Sequence, residues 1–447
     1  MKSNSLNGKN PCDKSNVILR NLNVDIINKS AVNSGFLKRK SEKITPLNLI
    51  LGFMTMVSKG RNSYSFWGVE IGFLANKTVT KQAVEDRINV KAEEFAKATL
   101  EGHLREKIGA NISVKTRGIM NLLTNVKIDD TTNLALPDML ASQFPGSVCR
   151  GVRKAIVKVH VLFNLTENTY DFFQLHSYSE NDQSLSANIL DYLQKGDLII
   201  RDLGLAILSV IGKIITKDAY FISRKSFKIK VFDIDSGDEI NWTKELKKKG
   251  FMDRQVIAGK KEKIKVRLIA VPLSEAQANE RRRKARNDRD KRANHSPEYD
   301  YLLGYSIYFT NIETDKCNAA QIAQLYRIRW RIEIIFKSWK TCFSMQSLIH
   351  FQCTNPARVR CTIYLLMLYV YLFHVIWWNH CQKTIKDQVV EVELSILKMA
   401  AFFNEHFSLL ITLKSDRFII EQLLKHCTYD KRKDRINAEK FINKMAA

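Results

Sequence analysis

Residues 154–178, KAIVKVHVLFNLTENTYDFFQLHSY, contain the clearest indication of the fold. Residues 154–165 alternate β-branched and polar side chains, which is typical of a strand. Residues 166–168, TEN, supply a turn, and the residues after them again have the composition of a strand. Because strands joined by so short a connection pair antiparallel, the segment predicts a β-hairpin.

The residues on both sides of this hairpin predict a larger sheet. Before it, residues 125–129 (NVKID) have strand character and end in a carboxylate. After it, helical and strand-like segments alternate: a helix at 184–194, the buried strand LIIRD at 198–202, a helix at 205–217 and the strand AYFIS at 219–223. Three strands followed by alternating helices and strands predict a mixed α/β sheet of the ribonuclease H-like kind.

An insertion interrupts this pattern at residues 225–303. It combines short strands with a Gly- and Lys-rich loop and ends in a basic segment, SEAQANERRRKARNDRDKR, for which Ser274 and Gln277 form a capping box. The sheet pattern resumes at GYSIYFTNI and continues into a strong helical pattern at residues 321–340. We therefore predict a ribonuclease H-like domain at residues 121–380 that contains a β-rich insertion with a basic helix.

The two ends of the chain predict a polar arm and helical regions. Residues 1–44 are rich in Asn, Ser and Lys, and we predict a loose basic arm there. Residues 45–120 have helical periodicity, and Thr80 can cap a helix in a unit that resembles a helix-turn-helix, with a plain helical bundle as the alternative. The exposed residues of that unit would be Lys81, Gln82 and Arg87. Residues 381–447 are predicted to be helical; no motif in them indicates dimerisation, which we expect there only from the mechanism described below.

The charge of the chain indicates a polyanionic partner. Lys and Arg number 71 against 46 acidic residues, which gives a net charge of +25 and a pI near 9.6. This excess favours nucleic acid through counterion release, with an anionic membrane as the weaker alternative. The eight cysteines include no C-x-x-C pair, and the N-terminus lacks the apolar stretch of a secretory signal. We therefore expect a cytosolic protein with reduced thiols.

Two aspartates stand where a sheet enzyme would place metal ligands. Metal-dependent phosphoryl transfer needs clustered carboxylates that hold two ions about 3.5–4 Å apart. Asp129 ends the first predicted strand and Asp202 ends LIIRD, whereas Asp197 begins LIIRD and would lie at the opposite edge of the sheet. For an isolated Asp at a strand end, a turn or cap role is the common alternative.

A helical stripe supplies a third carboxylate. In YRIRWRIEIIFKSWK, residues 326–340, helical periodicity places four polar residues within a sector of about 60° and the apolar residues on a separate face. The four are Tyr326, Arg329, Glu333 and Lys340. The alternative is a solvated face on which Glu333 pairs with arginine.

The spacing Tyr326-x2-Arg329-x3-Glu333-x6-Lys340 resembles the Y-R-E-K signature of the IS-four type transposases of bacterial insertion sequences. IDDTTNLALP at residues 128–137 resembles the first aspartate motif of this DDE family, and LIIRDLG resembles the second. The resemblance extends from about residue 45 to residue 380 and includes an insertion between the second Asp and the Glu. One departure is Leu203, which stands where relatives commonly carry Arg.

The resemblance implies a cut-and-paste DNA transposase. Asp129, Asp202 and Glu333 would be the catalytic residues and would bind two Mg²⁺ ions, or Mn²⁺ in their place. Asp130 adjoins Asp129, so the first ligand is open between the two; we choose Asp129 and expect Asp129→Asn to be more damaging than Asp130→Asn. Hydrolytic nicking at the element ends would precede attack of the freed 3′-OH on target DNA, and some relatives form a hairpin at the element end.

The resemblance also implies partners. Tyr326, Arg329 and Lys340 would contact the backbone of double-stranded DNA, at the terminal inverted repeats and in the target. Further candidates for DNA contact are Lys337, Arg281, Arg282 and Arg283. Pairing two element ends requires at least two protomers, so we expect a homodimer with no membrane partner. The alternatives are a related two-metal nuclease and a catalytically silent, transposase-derived DNA-binding protein.

Two other features have both a structural and a functional interpretation. Residues 361–378 are almost wholly apolar, but their position directly after the helix of Glu333 favours a buried core helix over a membrane span. His160 is expected to be a packed or hydrogen-bonded histidine, with a metal-ligand role as the weaker alternative. Together with the family resemblance, the core-helix interpretation predicts a protein of the bacterial cytoplasm that associates with the nucleoid when it binds DNA.

Overall fold

The structure is a computed structural model that describes residues 16–39, 41–106, 123–287, 296–350, 355–388, 392, 394–412 and 416–429. The strands in this part of the chain are β1 (Val126–Leu136), β2 (Pro145–Cys149), β3 (Val152–Asn164), β4 (Thr169–Ser177), β5 (Leu198–Arg201), β6 (Tyr220–Arg224), β7 (Val231–Phe232), β8 (Met252–Ala258), β9 (Ile264–Pro272) and β10 (Tyr305–Thr310).

Helices surround these strands and occupy both ends of the described chain. They are α1 (Val17–Asn21), α2 (Val24–Asn33), α3 (Pro46–Ser58), α4 (Tyr64–Ala75), α5 (Lys81–Glu85), α6 (Val90–Glu106), α7 (Asp182–Leu185), α8 (Leu208–Thr216), α9 (Trp242–Lys249), α10 (Glu275–Arg286), α11 (Pro297–Leu302), α12 (Ala319–Arg327), α13 (Trp330–Thr341), α14 (Met345–His350), α15 (Pro356–Tyr371), α16 (Asn379–Gln388), α17 (Ile396–Leu410) and α18 (Asp416–His426).

The strands form one mixed sheet in the order β2-β3-β1-β5-β6-β10-β9-β8-β7, with β4 paired to β3. The predicted hairpin is confirmed, since β3 and β4 pair antiparallel. Strand β1 pairs antiparallel with β3 and parallel with β5, and β5 pairs parallel with β6. Three antiparallel strands followed by parallel strands and a crossover helix, α8, confirm the ribonuclease H-like fold.

The insertion extends this sheet and does not form a separate one. Strand β10 pairs antiparallel with β6 on one side and with β9 on the other, so the inserted strands β9, β8 and β7 continue the same sheet. The sequence did not predict β8 or α9. The predicted basic helix is present as α10, capped by the Ser274 side chain; it ends at Arg286 with Asn287 as its C-cap, and the rest of the range expected to be helical, residues 288–292, lies outside the described residues.

Side-chain alternation divides the core into two parts, one on each face of the sheet. Ile128 and Ile200 pack with Ile332 of α13, and we call this side the α13 face. Ile199, which precedes Ile200 in β5, and Leu162, the partner of Asp129 across the β1–β3 pairing, pack in the other core with residues of α8, and we call this side the α8 face. Successive residues of β1 and β5 therefore enter different environments.

The described N-terminal residues are ordered helices, in contrast to the expected loose arm. Ile18 of α1 and Ile27 of α2 are buried, and the Asn16 side chain donates to the Leu410 carbonyl at 2.6 Å. Burial of these apolar residues offsets the entropy of ordering the segment. Residues 1–15 of the expected arm lie outside the described residues.

The next helices pack onto the rest of the protein. Thr80 caps α5 as predicted, because its hydroxyl accepts from the Ala83 amide at 3.2 Å, but α5 has only five residues. Glu85 of α5 accepts from Arg358 of α15 at 3.0 Å. So short a helix, tied to the core of the protein, fits the alternative of a helical bundle better than a helix that reads a DNA groove.

The apolar segment at residues 361–378 is a core helix, as predicted. It lies in α15 and in the π-helical turn Leu372–Trp378 that follows. The stretch Pro356–Ile385 is long and apolar enough to span a membrane by length and composition, but 94% of its most apolar part is buried inside the protein. Its burial places it at the centre of the contacts between the N-terminal helices, the sheet and the C-terminal helices.

Candidate active site

Asp130 lies within β1, which continues to Leu136 beyond the strand end predicted at Asp129, and Asp202 directly follows the neighbouring parallel strand β5. In the pairing of β1 with β5, Asp129 is the partner of Arg201, and Asp130 and Asp202 are the next residue of each strand. Alternation places both on the α13 face, because Ile128 and Ile200 are two residues earlier in the same strands. The sheet therefore brings two carboxylates side by side beneath α13.

A break between two helices brings the remaining polar residues to these carboxylates. The continuous helix predicted at residues 321–340 is in fact α12 and α13, separated by a tighter turn at Ile328 and Arg329. Within this turn the Arg331 amide donates to the Ile328 carbonyl at 2.9 Å, a spacing of three residues that is typical of a 3₁₀ turn. Arg329 thus stands at the junction of the two helices.

Three of the four residues of the predicted stripe contact one another or the strand carboxylates. The Tyr326 hydroxyl donates to Asp202 Oδ1 at 3.3 Å. Arg329 donates to Asp130 Oδ2 at 2.7 Å and to Glu333 Oε1 at 2.5 Å. The structure therefore groups three carboxylates, from two strands and one helix, around one guanidinium and one phenol.

The electrostatics of this group show an excess of negative charge. Burial raises the pKa of Asp130 to about 7, and the charge of Asp202 adds to this, although Arg329 opposes it. Burial and the nearby Asp202 also raise the pKa of Tyr326, so its phenol stays protonated and able to donate. A carboxylate that remains difficult to ionise beside an arginine marks a position that would be stabilised by more positive charge.

Asp129, the expected first ligand, lies outside this group. It faces the α8 face, where it is fully buried. Its Oδ2 accepts from Arg201 at 2.6 Å, and His160 Nε2 lies 2.6 Å from its Oδ1. Burial alone would raise the pKa of Asp129, but Arg201 and His160 together hold it below the ordinary value. Because both of its oxygens are occupied, the choice of Asp129 does not fit the geometry, whereas the alternative, Asp130, does.

A register comparison within the sequence could have found this. When the two parallel strands are written one above the other, VKIDD at residues 126–130 aligns with LIIRD at residues 198–202. Asp130 then falls beside Asp202, and Asp129 beside Arg201. His160 is hydrogen-bonded, as expected for the structural interpretation of this residue.

The other predicted DNA contacts have different surroundings. Lys337 and Lys340 are exposed on α13, the helix of Glu333. In α10, Arg281 donates to the Tyr305 carbonyl at 2.9 Å, and Arg283 donates to Glu280 at 2.8 Å. The remaining member of that arginine trio, Arg282, donates to the Asp300 carbonyl at 3.2 Å. Much of the charge of α10 is therefore held by contacts within the protein.

Arg224 is a candidate that the sequence interpretation missed. It ends β6, and its strand neighbour Ser223 is the partner of Arg201, so Arg224 follows on the α13 face beside Asp202. Its charge acts on both Tyr326 and Arg281. The signal in the sequence was a basic residue at the end of β6, on the same edge of the sheet as Asp202, which follows β5.

The donor set fits a hard divalent cation. Carboxylate oxygens are the ligands that Mg²⁺ prefers, and the group offers three of them, from Asp130, Asp202 and Glu333. In this conformation Arg329 provides the positive charge between Asp130 and Glu333. Among the described residues, no three His, Cys, Asp or Glu side chains are close enough together to hold an ion without rearrangement.

Comparisons with known proteins show which family this chain resembles. Residues 124–372 match the family model described as a transposase DDE domain. The chain is 26% identical over 416 residues to the transposase for insertion sequence element IS231B of Bacillus thuringiensis subsp. berliner, covering 88% of this chain and 85% of that protein. It is 23% identical to the transposase for IS1151 of Clostridium perfringens, covering 96% and 94%. The piggyBac transposase, in a synaptic complex with hairpin DNA, is similar at a TM-score of 0.44 and 9% identity, covering 96% of this chain and 88% of that one.

Proposed function

This chain belongs to the family of proteins with a transposase DDE domain, and from that membership we propose that it cleaves DNA at the ends of an insertion sequence and joins them to target DNA. Membership establishes an enzyme of DNA transposition, a polynucleotidyl transferase that depends on divalent metal. The grouping of Asp130, Asp202 and Glu333 around Arg329 is the observation that carries the more detailed proposal.

We assign the metal ligands to Asp130, Asp202 and Glu333. Two Mg²⁺ ions, or Mn²⁺ in their place, would activate the attacking oxygen and stabilise the leaving oxygen when bound. Strand β1 and the end of β5 hold Asp130 and Asp202 on the sheet, and α13 brings Glu333 to them. Tyr326, which donates to Asp202, orients that carboxylate while its other oxygen stays available.

Arg329 has two tasks in this proposal. Without metal, its guanidinium neutralises part of the charge of Asp130 and Glu333. Once these carboxylates turn to a metal ion, the same planar fork is free to bind a phosphate beside the cleaved bond. Lys337 and Lys340 follow on α13 and extend the positive surface along the DNA backbone.

The proposal includes the path of the DNA and the assembly. Arg224 and Arg281 place positive charge beside Tyr326, and the rest of α10 continues it along the insertion. A homodimer would hold the two terminal inverted repeats together, with the C-terminal helices available for the contact. Since its apolar helix is buried, we place the protein in the bacterial cytoplasm, bound to DNA.

The decisive test is Glu333→Gln, which keeps the shape of the side chain and removes the charge a cation needs. We expect nicking of an element end to fall by orders of magnitude while end binding in a gel-shift persists. Glu421→Gln is a matched control, because Glu421 accepts from Arg417 at the same spacing on an exposed helix. Nicking by Glu333→Gln at the wild-type rate would remove Glu333 from the ligand set.

The products decide between a transposase and the related nuclease. A transposase joins the freed 3′ end to a target plasmid, whereas a nuclease stops after the cut. Denaturing gels of the same reaction reveal whether a hairpin forms at the element end. Nicking without any joined product, in the presence of target DNA, would favour the nuclease, and neither activity in the wild-type chain would favour the silent DNA-binding protein.

A further inference from the structure

A sealed ion cluster lies directly behind the candidate metal ligands. Asp129 and Arg201 are both fully buried on the α8 face. The Arg201 guanidinium donates to Asp129 Oδ2 through Nε at 2.8 Å and lies 2.6 Å from it through Nη2. His160 Nε2, on the neighbouring strand, lies 2.6 Å from Asp129 Oδ1. The cluster thus joins three strands through one carboxylate.

The register relates this cluster to the active site. Asp129 and Arg201 are direct partners in the parallel pairing of β1 with β5. Asp130 and Asp202 come one residue later in each strand, and their side chains emerge on the opposite face. The ion pair therefore spans the same gap between strands that Asp130 and Asp202 span.

Stability alone is a weak explanation for this cluster. Two buried charges lose their hydration, and replacing such a pair by apolar side chains of similar size is often neutral or stabilising. Among the described residues, Arg201 Nη1 and His160 Nδ1 have no hydrogen-bond partner, which adds to the desolvation penalty. Two nitrogens of the Arg201 guanidinium contact one oxygen of Asp129. Such a directional contact defines the separation of the two strands, which an apolar contact does not.

We propose that Asp129 and Arg201 are positioning residues, which act as a clip that sets the separation of Asp130 and Asp202 for divalent metal. This inference rests on the proposed function of those two carboxylates. Arg201 also donates to the Ser186 carbonyl at 2.6 Å, so the clip is anchored to the segment after α7 and cannot swing freely. Residues that support metal ligands in this way typically change metal affinity about 10–100-fold when they are replaced.

The same two strands contain a matched control. Lys127 lies two residues before Asp129 in β1 and on the same face, and it is buried. Its ammonium lies 2.9 Å from Asp171 and 2.9 Å from Asp197, the residue that precedes β5. Lys127→Met therefore breaks a buried ion cluster between the same strands, at the end away from the carboxylates.

The experiment compares Mn²⁺ binding by full-length variants. Free Mn²⁺ is measured by electron paramagnetic resonance during titration of each protein, and thermal unfolding is recorded beside it. The variants are Arg201→Met, Arg201→Lys, the double variant Asp129→Leu/Arg201→Met, Lys127→Met and Asp130→Asn. The double variant removes both charges together and Arg201→Lys retains the cation, so at least one of them keeps the fold if the single Arg201→Met does not.

We expect the double variant to bind Mn²⁺ at least about tenfold more weakly than the wild type even where its unfolding temperature is restored. Arg201→Lys should bind Mn²⁺ with an affinity between those of the wild type and the double variant. Lys127→Met should change Mn²⁺ affinity by less than about twofold despite a lower unfolding temperature. Wild-type Mn²⁺ affinity in both the double variant and Arg201→Lys would overturn the clip. If these two variants bind Mn²⁺ normally while Asp130→Asn binds it more weakly, the clip is wrong but the proposed ligands stand. If Asp130→Asn also binds Mn²⁺ with wild-type affinity, the proposed ligand set is wrong.

Discussion

The two faces of the sheet differ sharply where the parallel pairing of β1 with β5 ends. On the α13 face, Asp130 and Asp202 meet Tyr326 and Arg329 at a partly open surface, and the Glu333 side chain is 44% exposed. On the α8 face, one residue earlier in each strand, Asp129 and Arg201 are fully buried. Neighbouring residues of one strand therefore have opposite environments.

The charges show what each face can do. Burial raises the pKa of Asp130 to about 7 although Arg329 lowers it, and the charges of Asp202 and Asp129 add to the rise, so further positive charge would stabilise this carboxylate. Arg201 and His160 lower the pKa of Asp129 against the effect of its burial, so that face is already balanced. The first is suited to receive a cation and the second to hold strands in place.

The largest expected effect reverses the order expected from sequence. Asp130→Asn should reduce nicking by orders of magnitude with little loss of stability, because it removes a ligand from a face that already has excess negative charge. Asp129→Asn should instead lower the free energy of unfolding by about 3–5 kcal/mol, because Arg201 loses its buried partner. Nicking at saturating Mn²⁺ and urea unfolding measure the two effects. Loss of nicking by a stable Asp129→Asn, beside an active Asp130→Asn, would restore Asp129 as the ligand.

The second prediction compares the salt dependence of DNA binding after three positive charges are removed from α10 or from α9. Replacing Arg281, Arg282 and Arg283 of α10 by Gln should flatten the slope of log affinity against log salt by about one to three units, at about 0.9 per phosphate contact. The internal contacts of Arg281 and Arg283 favour the lower end of that range. Affinity should fall similarly for specific and random DNA, and nicking at saturating DNA should survive.

The matched control for this prediction is α9, whose Trp242 and Leu246 pack in the core of the α8 face. Replacing its last-turn lysines, Lys247, Lys248 and Lys249, by Gln removes the same charge without touching the α13 face. We expect the salt slope to be unchanged. Two results would contradict the proposed DNA path along α10. In one, the α10 variant has the same salt slope as the wild type; in the other, the α9 and α10 variants flatten the salt slope equally.

The smallest effect concerns Lys225 on the α8 face. Its ammonium donates to the carbonyls of Ser226 and Ile229 and lies over the ring of Trp242, and burial lowers its pKa to about 7. The unfolded chain holds this proton up to its ordinary pKa of 10.5, so between these values it binds more protons than the folded chain. Stability should therefore rise by about 2 kcal/mol from pH 7 to pH 9 through this residue.

Lys225→Met removes that contribution and serves as its own control. Urea unfolding at both pH values, for wild type and variant, gives the difference that belongs to Lys225. The rise should be absent from the variant, which should also be the more stable protein at pH 7. A variant with the same pH dependence as the wild type would show that Lys225 is hydrated and that the α8 face is less sealed than its contacts indicate.

Much of the fold was accessible to sequence patterns. The β3–β4 hairpin, the parallel strands β5 and β6 and the core helix α15 all follow from local periodicity and turn residues. Strand β8 was missed because its polar residues, in MDRQVIA, hide the alternation. The helix predicted at residues 184–194 is only α7 and a short 3₁₀ turn, Leu190–Tyr192, since local propensity there does not decide where the chain turns back to β5.

Sequence by itself determined that Asp129 and Asp130 lie on opposite faces, because side chains of a strand alternate. It also determined the stripe that joins Arg329 to Glu333, through helical spacing alone. Only the tertiary structure decided which aspartate lies beside Arg329, since that depends on where α13 packs, some two hundred residues further along the chain. The break at Ile328 and Arg329 was likewise not apparent from the sequence, because the helical pattern of residues 321–340 is continuous.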